Sequence, residues 1–134
     1  MSAARAFFDT NVLLYLLSDD ARADRAENLL AAGGVISVQV LNEFAAVASR
    51  KFKAPWPAIR ESLQILSATL EVEPMTLDTH QRGVAIAERY QFNLYDGLIL
   101  AAAQLAGCEV VYSEDMQAGL RIEGAPTILN PFRA

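Results

Sequence analysis

The chain has 134 residues, 53% of them hydrophobic and 20% charged, which suits one globular domain with a real core. No run of roughly 18 consecutive apolar residues is present, so a helical membrane span is excluded, and the start MSAARAFFDTN has no apolar stretch of signal-peptide length, which sets the expected location in the cytoplasm. The net charge of −5 argues against a nucleic-acid surface at large, yet with four acids set aside for a local metal site the remainder carries only about −1. A single cysteine, Cys108, excludes an intrachain disulfide framework and a cysteine zinc site, and its setting in LAGCEVVY marks a core thiol.

Short strand-like runs alternate with helical ones. The first strand is expected at Ala6–Phe8, and the stretch FFDTNVLLYLL then sets Asp9 and Asn11 inside an apolar run. A carboxylate removed from water costs several kcal/mol unless its charge is compensated. Asp9 therefore either caps the helix expected at Val12–Leu17 or holds a cation. A helix at Arg22–Ala32 stops at Gly33-Gly34, and a strand follows at Val35–Ser37. Ser37 can cap the next helix, Val38–Lys53, in which Val40, Leu41, Phe44, Val47 and Ala48 form a buried stripe at helical spacing. Glu43 lies two turns in, where a solvated glutamate is the plain alternative to a site residue.

The second half continues the alternation with a helix at Pro57–Ala68, a strand at Glu71–Glu73 and a helix at Leu77–Tyr90. Asn93 and Asp96 have the spacing of a capping box for the helix Leu94–Ala106, which is apolar nearly all round and so expected to be central. Gly97 would leave room beside Asp96. After Gly107 come a strand at Val110–Tyr112, the turn SED with Ser113, Glu114 and Asp115, and a last strand at Thr127–Leu129. Such alternation implies one α/β domain over residues 1–134 with a mainly parallel sheet.

Taken singly, each acid has a structural explanation as a cap or a dipole partner. Together they say more. Asp9 and Asp115 directly follow strands, whereas Glu43 and Asp96 lie in the first turns of helices. In an open parallel sheet those places share one edge, where ligands bind. Four carboxylates meeting there could not all stay ionised without a cation, and hard oxygen donors suit Mg²⁺ or Mn²⁺.

The strand-plus-DTNVLLY start, VLNEFAAVASRK, YDGLILAAA and the late VVYSEDM resemble, in order and spacing, the four acidic motifs of PIN-domain ribonucleases, and most closely the VapC-type toxins of bacterial toxin–antitoxin pairs. The resemblance covers essentially the whole chain. It implies a five-stranded parallel sheet flanked by helices, with Asp9, Glu43, Asp96 and Asp115 as the acidic site and Asn11 and Ser113 in support. It also implies an RNA substrate, a cognate antitoxin that offers a helix and a basic residue, and a homodimer. Metal would sit on Asp9, Asp96 and Asp115, with Glu43 orienting or deprotonating the attacking water. Glu114 is the adjacent alternative for the fourth acid; the offset after Ser113 favours Asp115. Alanine, common among relatives at position 97, is expected to be tolerated there.

Other chemistries lack their residues. His80 is the sole histidine, and no phosphate-cradling GxxxxGK[ST] or GxGxxG motif is present. A non-catalytic metal-binding module and a Mg²⁺-dependent DNA nuclease or phosphatase remain as rivals on residue chemistry alone. Candidate RNA contacts are the RKFK run at 50–53 with Arg22, Arg25, Arg82 and Arg89, and the expected affinity is modest and salt-sensitive. Apolar residues of Val12–Leu17 could line a groove for the antitoxin.

Overall fold

The computed structural model describes residues 5–133. Its core is a five-stranded sheet in the order β3-β2-β1-β4-β5, with every neighbouring pair parallel. The strands are β1 (Ala6–Phe8), β2 (Val35–Ser37), β3 (Glu71–Glu73), β4 (Val110–Tyr112) and β5 (Thr127–Leu129), each where the alternation of runs places it. The helices are α1 (Thr10–Leu14), α2 (Arg22–Ala31), α3 (Val38–Arg50), α4 (Trp56–Thr69), α5 (Leu77–Tyr90) and α6 (Leu94–Leu105). One 3-10 turn, Tyr15–Leu17, extends α1.

Burial explains the order of the strands. All three residues of β1 and β2 are buried, as an interior parallel strand covered on both faces requires, whereas β3 at the edge carries two glutamates. In α3 the residues Val40, Phe44 and Ala48 enter the core while Leu41 and Val47 lie half-buried, so the expected stripe is real but graded. Helix α6 is buried without interruption from Gly97 to Ala103. Cys108 joins the same core, and burial pushes its thiol up to about 11.

Differences from the sequence expectations are confined to helix ends and one glycine. The first helix begins at Thr10 rather than Val12 because Asp9 caps it, its carboxylate accepting from the Thr10 N–H at 2.7 Å. Helix α3 ends at Arg50, three residues early, and Lys53 adopts a left-handed backbone with φ of 55° as the chain turns toward Pro55. Gly97 requires a correction. A Cβ at position 97 would stand 2.4 Å from the Gly83 carbonyl oxygen and 3.0 Å from the Ala87 Cβ. The glycine makes room for helix α5, not for the acid beside it. A Cβ at Gly83 would in turn meet the Leu98 side chain at 2.5 Å, so the two glycines together set the close approach of α5 and α6.

Gly97→Ala therefore overpacks a backbone contact despite its better helix propensity. The expected outcome is a loss of about 1–3 kcal/mol, read as a lower urea midpoint with an unchanged slope. A midpoint equal to or above wild type would restore the reading of position 97 as alanine-tolerant.

Candidate acidic site

Parallel pairing brings the carboxyl ends of β1 and β4 side by side. The Asp9 N–H donates to the Tyr112 carbonyl at 2.9 Å, continuing the ladder one residue past the strands and placing Asp9 next to Ser113. Both residues are buried. The Ser113 hydroxyl donates to Asp9 Oδ2 at 2.9 Å, and Asn11 Nδ2 donates to the same oxygen at 3.0 Å. Asn11 Nδ2 also lies 3.3 Å from Asp115 Oδ2, so one amide joins the first and fourth acids. The Asn11 carbonyl oxygen accepts from the Glu114 N–H at 3.0 Å, and the Ser113 hydroxyl accepts from the Met116 N–H at 3.2 Å. The turn after β4 is thereby fastened to the start of α1.

The two adjacent acids of that turn face different partners. Glu114 accepts from the Tyr15 hydroxyl at 2.6 Å and from Arg22 at 2.9 Å, and Arg22 also grips Asp20 at 3.1 Å. Asp115 is exposed and meets Asn11 instead. The other two acids arrive on helices. Glu43 is half-buried on α3 and accepts from Gln39 Nε2 at 2.6 Å; the same amide reaches the Tyr95 carbonyl at 3.1 Å. Asp96, in the first turn of α6, uses its N–H and its carboxylate to bond the Asn93 side chain at 2.9 and 3.0 Å. Capping and clustering thus coincide: Asp9 caps α1 and Asn93 caps α6 at the acidic edge itself.

Electrostatics tie the acids together. Burial raises the Asp9 carboxyl to about 6 against the hydrogen bonds from Ser113 and Thr10, and the charges of Asp96 and Glu43 add to the rise. Asp96 is also raised, first by burial and then by the charge of Asp115. All four acids are therefore within electrostatic reach of a neighbour. Among the described residues no three His, Cys, Asp or Glu side chains close into a preformed metal cage. The donors nevertheless suit Mg²⁺ or Mn²⁺, because they are carboxylate oxygens at an edge that water reaches, and Mg²⁺ keeps several waters while using one or two carboxylates.

Gln39 and Tyr15 were not singled out by the sequence, and Arg22, a candidate RNA contact, instead grips acids of this network. Gln39 bridges Glu43 to the residue before Asp96, and its own Oε1 is buried without a partner. Its i, i+4 spacing to Glu43 was the available signal. Tyr15 and Arg22 engage Glu114 across more than ninety residues of chain, and no local pattern could have joined them. Beside the acids lies a cleft of about 720 Å³ whose walls include Asn11, Leu14, Tyr15, Val47, Phe52 and Asp115. Of the apolar stretch Val12–Leu17, Leu14 faces this cleft, while Val12 and Leu13 are core.

The family model described as PIN domain matches residues 6–119. The chain belongs to the PIN domain family. A toxin–antitoxin complex from Klebsiella pneumoniae contains a similar chain, 26% identical with a TM-score of 0.74, over 96% of this chain and 99% of that one. VapC20 of Mycobacterium tuberculosis, a sarcin–ricin loop cleaving toxin, is 24% identical with a TM-score of 0.69, over 82% and 89% of the two chains. A chain of DNA-bound VapBC from Salmonella typhimurium is 20% identical with a TM-score of 0.66, over 96% and 99%. These last two share the fold. No curated protein sequence matches the chain.

The raised Asp9 carboxyl makes a signed prediction for the metal-free protein. From 3.8 to about 6, its forced ionisation at neutral pH costs the fold roughly 3 kcal/mol. That stability is fully present below about pH 4 and is lost as pH rises through 6. In EDTA at pH 7.5, Asp9→Asn is expected to unfold at higher denaturant than wild type by at least about 1 kcal/mol, with the gain gone at pH 4. A variant less stable than wild type at both pH values would show that the hydrogen bonds to Asp9 outweigh its desolvation.

Proposed function

We propose that the protein is a Mg²⁺-dependent endoribonuclease, with Mn²⁺ as the alternative ion, that hydrolyses RNA phosphodiester bonds and acts as the cytoplasmic toxin of a VapBC-type toxin–antitoxin pair. The observation that carries the reading is the joining of Asp9 to Asp115 through Asn11, with the charges of Asp96 and Glu43 felt at Asp9. The neighbours described as toxins and toxin–antitoxin complexes support RNA as substrate and an antitoxin as partner. A homodimer belongs to the same proposal and is carried by the likeness of the sequence motifs to VapC-type toxins alone.

Asp9, Asp96 and Asp115 would hold the cation, which when bound supplies positive charge for the phosphate oxygens and acidifies water. The chain's own residues do the rest. Asn11 and Ser113 hold Asp9 by its outer oxygen, and Asn11 keeps Asp115 beside it. Gln39 occupies one oxygen of Glu43, leaving Oε2 without a partner among the described residues. Glu43 therefore takes the proton of the attacking water on Oε2. Burial of Asp9 and Ser113 fixes the floor of the site, so that Asp9 would hold its cation in one place.

Partner-free protein mixed with structured RNAs is expected to cut them with Mg²⁺ or Mn²⁺ and to stop in EDTA. Asp9→Asn and Asp96→Asn should each lower the rate about a hundredfold or more. Asp115→Asn should cost more activity than Glu114→Gln, because Glu114 is bound to Tyr15 and Arg22. Equal cutting of DNA, or release of phosphate from small esters without RNA cleavage, would transfer the site to the rival hydrolases. Folded protein that binds Mn²⁺ but cuts nothing would make it a metal-binding module.

A further inference from the structure

The cleft beside the acids has a charge and a surface that the hydrolytic residues do not account for. Asp20 and Glu114 both line it, and Arg22 pairs with each of them. Arg50 and Lys51 line it too, and among the described residues neither forms an ion pair or a side-chain hydrogen bond. Phe52 follows them, 39% exposed, on the same wall. Lys53 lies outside the cleft lining, and Arg25, Arg82 and Arg89 are engaged elsewhere. Arg25 donates to the Pro131 carbonyl, Arg82 pairs with Asp78, and Arg89 pairs with Glu123.

Basic residues at the end of α3 would be favoured by the helix dipole alone, but the dipole explains neither an exposed phenylalanine nor its place in a cleft shared with Asp115. Free cations beside an open aromatic face are the elements that bind a single strand. The cations neutralise phosphates and the ring stacks on an unpaired base. Duplex RNA offers no such base face.

The geometry points to this cleft as the seat of a single-stranded RNA segment flanking the scissile phosphate, with Phe52 stacking one base and Arg50 and Lys51 holding the adjoining phosphates. The assignment rests on the ribonuclease reading of the acids. It also makes the single-stranded character of the target a property of this wall, since carboxylates and metal select no strand state.

The test is fluorescence polarisation of a labelled single-stranded RNA in EDTA across a salt series, with wild-type cleavage in Mg²⁺ assayed in parallel. Phe52→Ala should weaken binding about tenfold, and Phe52→Trp should restore it. The double variant Arg50→Ala/Lys51→Ala should lower the slope of log affinity against log salt by about 1.4, the share of two single-strand phosphates. Arg60→Ala/Arg121→Ala removes the same charge outside the cleft and should keep the wild-type slope. Circular dichroism establishes that each variant is folded. Cutting by wild type, with cleft variants that bind RNA as it does or a control pair that weakens as much, would overturn the cleft alone and leave it to a protein helix. Wild type that neither cuts nor binds RNA would overturn both readings. Binding that depends on the cleft without cutting would uphold the seat and remove the catalysis.

Discussion

The site depends on one buried carboxylate. Asp9 sits at the end of the central strand, where the parallel ladder removes it from water and, among the described residues, three neighbouring donors reach it. Burial raises the acid in that setting to about 6, and its two oxygens fix the start of α1 and the turn after β4 to each other. The remaining acids gather around this point because each lies on an element that starts or ends at the same edge of the sheet. A cation would compensate the charge that the protein alone compensates only in part.

Support for the acids comes from amides and hydroxyls rather than from basic side chains. Asn11 serves two carboxylates and a backbone N–H, and Gln39 serves Glu43 and a helix N-terminus. Amide donors steady a carboxylate without the full charge that would compete with a cation. The guanidinium of Arg22 is turned to Asp20 and Glu114, the acid that does not join the cluster. Glu114 thereby anchors the turn and Asp115 remains open to solvent.

The glycine pair at α5 and α6 shows how a distant packing contact bears on the same edge. Asp96 precedes Gly97, and Gly97 lies against the Gly83 carbonyl. The position of the third acid is thus set by how closely two helices approach. Strand and helix assignments followed from hydrophobic spacing because each element buries a face of its own. Helix ends were less legible, since the end of α3 is decided by the backbone turn at Lys53.

Local order determined the five strands, the succession of helices, and the placing of Asp9, Glu43, Asp96 and Asp115 at strand ends or helix starts, because periodicity and capping are properties of neighbouring residues. Tertiary structure decided what those residues meet. It set Asn11 between Asp9 and Asp115, and Glu114 against Tyr15 and Arg22. It assigned Gln39 to Glu43 and the room at Gly97 to a carbonyl of another helix. The contacts of Asp115 and Glu114 join residues more than ninety positions apart, and only the folded sheet brings their side chains within hydrogen-bonding reach.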